Sequence, residues 1–158
     1  GMSTDELFRI KGEGGKVLDC KGGKEIRKED IIDVECDIWV PAARPDVINM
    51  ENVDRLKTKI VAQGANIPAS PEAEAVLEAR GVLILPDFIV NAGGVICGAV
   101  EYLGSGESHA MTMISDKIRG NTRLVLQSAR DQGISSRQAA LDMAQDRVRK
   151  AMEYRKSW

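Results

Sequence analysis

The chain has 158 residues, of which 43% are hydrophobic, 29% charged and 4% aromatic, and its net charge is −2 at pH 7. This length and composition are typical of a single globular domain with a genuine core. Because the charge is nearly balanced and aromatic rings are few, the composition disfavours nucleic-acid binding.

Cysteine number and hydropathy indicate in which cellular compartment the chain is expected. The three cysteines, Cys20, Cys36 and Cys97, are odd in number and none is paired as CxxC. This argues against a disulfide framework or a zinc site and predicts a reducing, cytoplasmic location. The sequence shows no apolar run long enough to span a membrane and no secretory signal, so no membrane partner is expected.

The first 34 residues predict short helices separated by glycine-rich turns. Residues 3–10 fit a helix that Ser3 and Glu6 close as a capping box. The glycines at 12–15 precede a strand-like pair at 17–18 and lack the GxGxxG spacing. We therefore interpret them as a flexible turn rather than a phosphate loop. Residues 28–34 predict a second short helix.

Residues 36–85 alternate between strand and helix patterns. Strands are predicted at 36–41, 59–63 and 82–85, with a short helix at 51–57 between the first two. Ser70 is placed to cap a further helix that ends before Gly81. Strands separated by helices at this spacing predict an α/β fold with a parallel sheet.

Small and amide side chains follow each predicted strand. Ala42 and Ala43 follow the first, Gly64-Ala65-Asn66 the second and Asn91-Ala92-Gly93-Gly94 the third. Asn91 is expected to cap a helix that starts at the glycines, where a carboxylate, carboxamide or phosphate could bind. Ligands of open parallel sheets bind beyond the carboxyl ends of the strands, so a ligand crevice is predicted. Structural turns could produce the same residues.

The remainder predicts helices at 95–103, at 111–132 and from Ser135, which forms a capping box with Gln138. Isolated titratable groups here support no catalytic residue and no metal site. We expect His109 to be solvated, Cys97 to be buried and inert, and Asp87 to serve a turn or helix cap.

Three motifs together resemble the glutamate/leucine/phenylalanine/valine dehydrogenase family. They are Trp39-Val40-Pro41-Ala42-Ala43, the stretch 61–68 with Pro71-Glu72-Ala73-Glu74, and Asn91-Ala92-Gly93-Gly94-Val95. The resemblance is strongest from about residue 15 to about residue 102. It implies the C-terminal portion of a nucleotide-binding domain over residues 1–158: a partial Rossmann-like parallel sheet with flanking and C-terminal helices.

The resemblance also implies site residues. Ala42, Ala43 and Asn66 would line the ribose and nicotinamide side of the cofactor, and Asn91 would contact the nicotinamide carboxamide. Val95 would border the amino-acid substrate. Gly98 stands where glutamate dehydrogenases of the family commonly place a serine near the distal carboxylate, so glutamate specificity stays open.

The family implies an oxidoreductase that uses NAD or NADP to deaminate an L-amino acid, most like glutamate dehydrogenase. The GxGxxG half and the substrate domain with its catalytic lysines and aspartate are absent from these residues. We therefore expect a fragment that is inactive alone and binds no cofactor alone. The alternative is a non-enzymatic remnant or self-associating module. Because the missing strands would leave a bare sheet edge, a homo-oligomer is expected.

Overall fold

The computed structural model describes residues 2–155, and the chain divides into two compact units, Gly1–Val34 and Glu35–Trp158. The first unit contains α1 (Thr4–Gly12) and two 3₁₀ turns, Val17–Asp19 and Lys28–Asp33. As predicted, the Ser3 hydroxyl caps α1 by accepting the Glu6 N–H at 3.5 Å. The assignment of the whole chain to one domain stays a prediction.

The predicted strand at residues 17–18 is wrong. The backbone there forms a 3₁₀ turn, and the Asp19 carboxylate accepts the Lys16 N–H at 2.7 Å. This local side-chain bond offers the backbone an alternative to a strand ladder, as is common for aspartate in turns.

The second unit is built on a three-stranded sheet. Its strands are β1 (Ile38–Trp39), β2 (Ile60–Ala62) and β3 (Leu83–Leu85), in the spatial order β1-β2-β3. Both pairings are parallel, so the strands end at one edge. The α/β class and the parallel sheet predicted from the sequence are confirmed.

Helix α2 (Pro71–Ala79) crosses from β2 to β3 as predicted. The Ser70 hydroxyl accepts the Ala73 N–H at 3.2 Å, and Gly81 follows the helix with φ of 80°. The helix predicted at 51–57 shrinks to a 3₁₀ turn at Val53–Arg55.

Two helices follow β3, where the sequence predicted only one, starting at the glycines. A short helix, α3 (Asp87–Val90), comes first, and α4 (Gly93–Tyr102) follows it. The N-cap of α4 is Ala92, so the prediction that Asn91 caps this helix is wrong. Asn91 instead ends α3, where its N–H donates to the Asp87 carbonyl at 2.8 Å, and its side chain is directed elsewhere.

Two long helices complete the unit, α5 (Glu107–Gln132) and α6 (Ser136–Arg155). Gly133, in the left-handed region with φ of 65°, ends α5, and the Ser135 hydroxyl accepts the Gln138 N–H at 3.0 Å to open α6. One core cluster joins α3 to both helices through Ile89, Val125, Ala139 and Ala140. No helix within residues 2–155 has the length and apolar character needed to cross a bilayer.

Candidate functional site

The loops that follow β1 and β2 pack closely at the carboxyl edge of the sheet. The Ala65 N–H donates to the Pro41 carbonyl at 2.8 Å. A Cβ added at Gly64 would lie 3.0 Å from the Ala42 Cβ, closer than most side chains pack, so a larger residue would push the two loops apart by a few tenths of an ångström. Ala42, Ala43 and Asn66 are exposed on these loops.

An asparagine pair joins the loop after β2 to the loop after α3. Asn91 Nδ2 donates to Asn66 Oδ1 at 2.7 Å. Within the described part of the chain, Asn66 Nδ2 and Asn91 Oδ1 have no hydrogen-bond partner. A free amide nitrogen, on Asn66, and a free amide oxygen, on Asn91, therefore lie on adjacent side chains, and a carboxamide ligand carries the complementary acceptor and donor.

A buried ionic cluster lies behind this pair and consists of Gln63, Glu74, Asp87 and Arg137. Gln63 is 0% exposed, Glu74 5% and Asp87 6%. Arg137 donates to Glu74 Oε2 at 2.6 Å, to Gln63 Oε1 at 2.8 Å and to Asp87 Oδ1 at 3.2 Å. Gln63 Nε2 donates to Glu74 Oε1 at 2.6 Å. Each member of the cluster is thus hydrogen-bonded to others, as buried charges require.

The cluster fixes α6 against the sheet. Hydrogen bonds with Glu74, opposed by burial but reinforced by the charges of Glu74 and Asp87, raise the pKa of Arg137, so the guanidinium stays charged. Its carbon centre lies 5.8 Å from the centre of the Phe88 ring, and the neighbouring Ser136 hydroxyl donates to the Ile84 carbonyl in β3. The start of α6 is therefore tied to α2, α3 and β3.

Sequence reasoning missed Gln63, Glu74 and Arg137, although two signals were present. Glu74 lies on the face of α2 that also buries Ala73 and Leu77, and a charge within an apolar face indicates a buried partner. Arg137 stands near the start of α6, the helix end that disfavours a cation, which points to an acidic partner.

Asp87 also differs from the turn or cap expected of it. Its Oδ2 accepts the N–H of Ile67, twenty residues earlier in the chain, at 2.9 Å. The carboxylate thus reaches the residue next to Asn66 instead of capping its own helix.

The candidate substrate residues lie on α4, outside the hydrogen-bond network of the asparagine pair. Val95 and Gly98 are one turn apart on an exposed face, where the Val95 side chain is 81% exposed. A Cβ added at Gly98 would meet no atom within 4 Å. This face has room for a ligand but carries no charged group at either position.

The remaining titratable candidates form no catalytic set. His109 is exposed, as expected. Cys97 is half-buried rather than buried, and burial and the Glu101 carboxylate, 3.8 Å from its sulfur, raise the pKa of the thiol. Residues 2–155 contain no group of three histidine, cysteine or acidic side chains that could hold a metal.

Comparison with known proteins places the chain among amino-acid dehydrogenases. The chain is 36% identical to the glutamate dehydrogenase of Aeropyrum pernix over 98% of its own length and 40% of that protein. The L-tryptophan dehydrogenase of Nostoc punctiforme superposes with a TM-score of 0.76 at 28% identity, over 92% of this chain and 43% of that one.

A second solved structure shares the fold. The hetero-hexameric glutamate dehydrogenase of Thermus thermophilus superposes with a TM-score of 0.78 at 21% identity, over 96% of this chain and 36% of that one. The chain spans about two fifths of the length of the curated relatives it matches. The family described as Glutamate/Leucine/Phenylalanine/Valine dehydrogenase matches residues 1–156, and this chain belongs to it.

Proposed function

We propose that this chain forms the nicotinamide and substrate side of an NAD(P)-dependent amino-acid dehydrogenase. The observation that carries the proposal is the Asn66–Asn91 pair at the carboxyl edge of a parallel sheet, where dinucleotide folds bind their ligands. The pair leaves one amide donor and one acceptor for a carboxamide, which is the polar group of the nicotinamide ring.

The residues of this edge fit that group. Asn66 Nδ2 would donate to the carboxamide oxygen, and Asn91 Oδ1 would accept from the carboxamide nitrogen. Ala42 and Ala43, on the loop after β1, have short side chains, so the ribose of the cofactor could approach the backbone there. When bound, the nicotinamide supplies the hydride chemistry, while the protein contributes orientation.

The substrate side of the proposal is α4. Its exposed face at Val95 and Gly98 would border an L-amino acid, and glutamate is the first substrate to test because the curated relatives are glutamate dehydrogenases. The 158 residues hold neither the phosphate-binding glycines nor a catalytic lysine set, so this chain alone is expected to be inactive and to bind no cofactor.

Assays with glutamate and NAD or NADP test the proposal, both on this chain alone and on any longer protein that contains it. We expect Asn91→Ala to raise the KM for the cofactor about tenfold or more, as expected for loss of a paired polar contact. Asn121→Ala is the matched control, since Asn121 bonds Arg147 between α5 and α6. Equal KM values in the two variants, or no reduction of either cofactor with any L-amino acid, would contradict the proposal, whereas failure with glutamate alone would exclude glutamate as the substrate.

The second candidate is a self-associating, non-catalytic module. Within residues 2–155, β1 pairs only with β2. Ile38 in β1 is 56% exposed, and Val40, which follows the strand, is 59% exposed. An apolar edge strand is a template for pairing with another chain. Light scattering of the purified chain tests this candidate: a dimer or larger assembly supports it, and a monomeric mass contradicts it.

A further inference from the structure

The backbone beside Asn66 has an unusual conformation. Ile67 has φ of 47°, in the left-handed region that β-branched residues rarely enter. The conformation costs on the order of 1–2 kcal/mol for a residue with a Cβ. The Ile67 side chain is 60% exposed, so packing of isoleucine does not account for it. The surrounding hydrogen bonds must hold this backbone in place.

Two long-range hydrogen bonds hold Ile67. Its N–H donates to Asp87 Oδ2 at 2.9 Å, and its carbonyl accepts the Asp46 N–H at 3.0 Å. Asp46 also lies in the left-handed region, with φ of 54°, on an exposed loop. Of the two partners, only Asp87 is buried, so its carboxylate is the rigid anchor.

Asp87 is itself immobilised from both sides. Its Oδ1 accepts from Arg137 Nη2 at 3.2 Å, and its N–H donates to Gln63 Oε1 at 3.0 Å. Its carbonyl accepts the N–H of Asn91 at 2.8 Å. One residue therefore bonds the backbone of Asn91 and the backbone of the residue that follows Asn66.

We propose that Asp87 is the positioning residue of the asparagine pair. By holding Ile67 left-handed with its side chain and Asn91 with its carbonyl, it directs both amides so that they meet at 2.7 Å. The inference rests on the proposed function for the identity of the ligand, but the positioning itself can be measured without a ligand.

Asp87→Asn is the informative substitution because asparagine is nearly the same size as aspartate. Its single side-chain oxygen can face Arg137 or Ile67, but not both, and the charged guanidinium takes it. The side-chain amide nitrogen of the new asparagine then faces the Ile67 N–H. Both groups are hydrogen-bond donors, so the bond that anchors Ile67 is lost. We expect the nuclear Overhauser contact between the Asn66 and Asn91 side-chain amides to be lost in the labelled 158-residue chain.

Two further variants separate positioning from general stability. Glu74→Gln disturbs the same buried cluster without touching Ile67, so the amide contact should survive. Ile67→Gly with Asp87 intact should also keep the contact, because Asp87 still accepts the N–H of residue 67 and glycine adopts the left-handed conformation freely. An unchanged contact in Asp87→Asn, or a loss of the contact in either of the other two variants, would overturn the inference.

If Asp87→Asn does not fold, the wild-type chain still decides the question. A scalar coupling across the hydrogen bond between the Ile67 nitrogen and the Asp87 carboxylate carbon is expected, and its absence overturns the inference. Because these spectra contain no ligand, a failed dehydrogenase assay leaves them valid. An unchanged contact in Asp87→Asn likewise leaves the proposed function standing.

Discussion

The asparagine pair and the buried ionic cluster are both polar, yet they differ in accessibility and in completeness. Asn66 and Asn91 share one bond at the surface and each keeps an amide group for a ligand. Gln63, Glu74, Asp87 and Arg137 lie behind them and direct their polar groups at one another. The amides that face a ligand keep polar atoms without a hydrogen bond, whereas the polar atoms of the supporting cluster are buried and hydrogen-bonded.

This contrast shows how a crevice of neutral side chains can keep a defined shape. Amides on exposed loops would otherwise sample many rotamers, and each ordered side chain costs conformational entropy. The buried charged residues restrict the loops that carry the two amides, and they do so without occupying the surface that a ligand would contact.

The largest expected effect comes from removing the cation of the cluster. Arg137→Met leaves Glu74 and Asp87 buried and unpaired, and we expect a loss of about 3 kcal/mol in the free energy of unfolding, measured by urea denaturation. Arg149→Met on the same helix is the matched control. Its ion pair with Asp146 is exposed, so its loss should be below about 0.5 kcal/mol. Similar losses in both would show that the cluster contributes no more than a surface pair.

A smaller effect of opposite sign is expected at the junction between the two regions. Ile67→Asn should raise the free energy of unfolding by about 0.5–1 kcal/mol, because asparagine tolerates the left-handed region. Ile38→Asn is the exposure-matched control, since Ile38 is 56% exposed in β1, and there asparagine should destabilise the chain. If both substitutions destabilise, Ile67 is not strained.

The smallest effect is expected at the surface amides. Asn66→Ala should change the free energy of unfolding by less than about 0.5 kcal/mol, because its one bond is exposed to water. The buried amide gives the comparison: Gln63→Ala should cost about 2 kcal/mol or more, since it leaves buried groups unpaired. Equal costs at the two positions would remove the distinction between the two regions.

Local patterns in the sequence predicted much of the fold. Ser70 and Gly81 bound α2 because caps act on neighbouring backbone groups, and the strand–helix alternation predicted the parallel sheet because each element shows its own periodicity. The short helix α3 was not predicted, because its four residues are too few to show a helical period.

The supporting cluster was beyond such reasoning for a different reason. The Asp87 carboxylate binds a backbone N–H twenty residues earlier and a guanidinium fifty residues later, and no local pattern encodes either contact. The left-handed conformation of Ile67 is even harder to predict, because a β-branched side chain disfavours the conformation that distant partners impose. The proposed roles of the amides came from the family resemblance, which compares whole motifs rather than local patterns.

The position of Arg137 along the chain has a consequence for biosynthesis. It lies 63 residues after Glu74 and 50 after Asp87. During synthesis, Glu74 and Asp87 therefore emerge from the ribosome well before Arg137. Until Arg137 follows, the two carboxylates stay solvated by water. The sheet edge can take its final form only after α6 has emerged and packed, so the ligand-facing surface matures later than the strands that carry it.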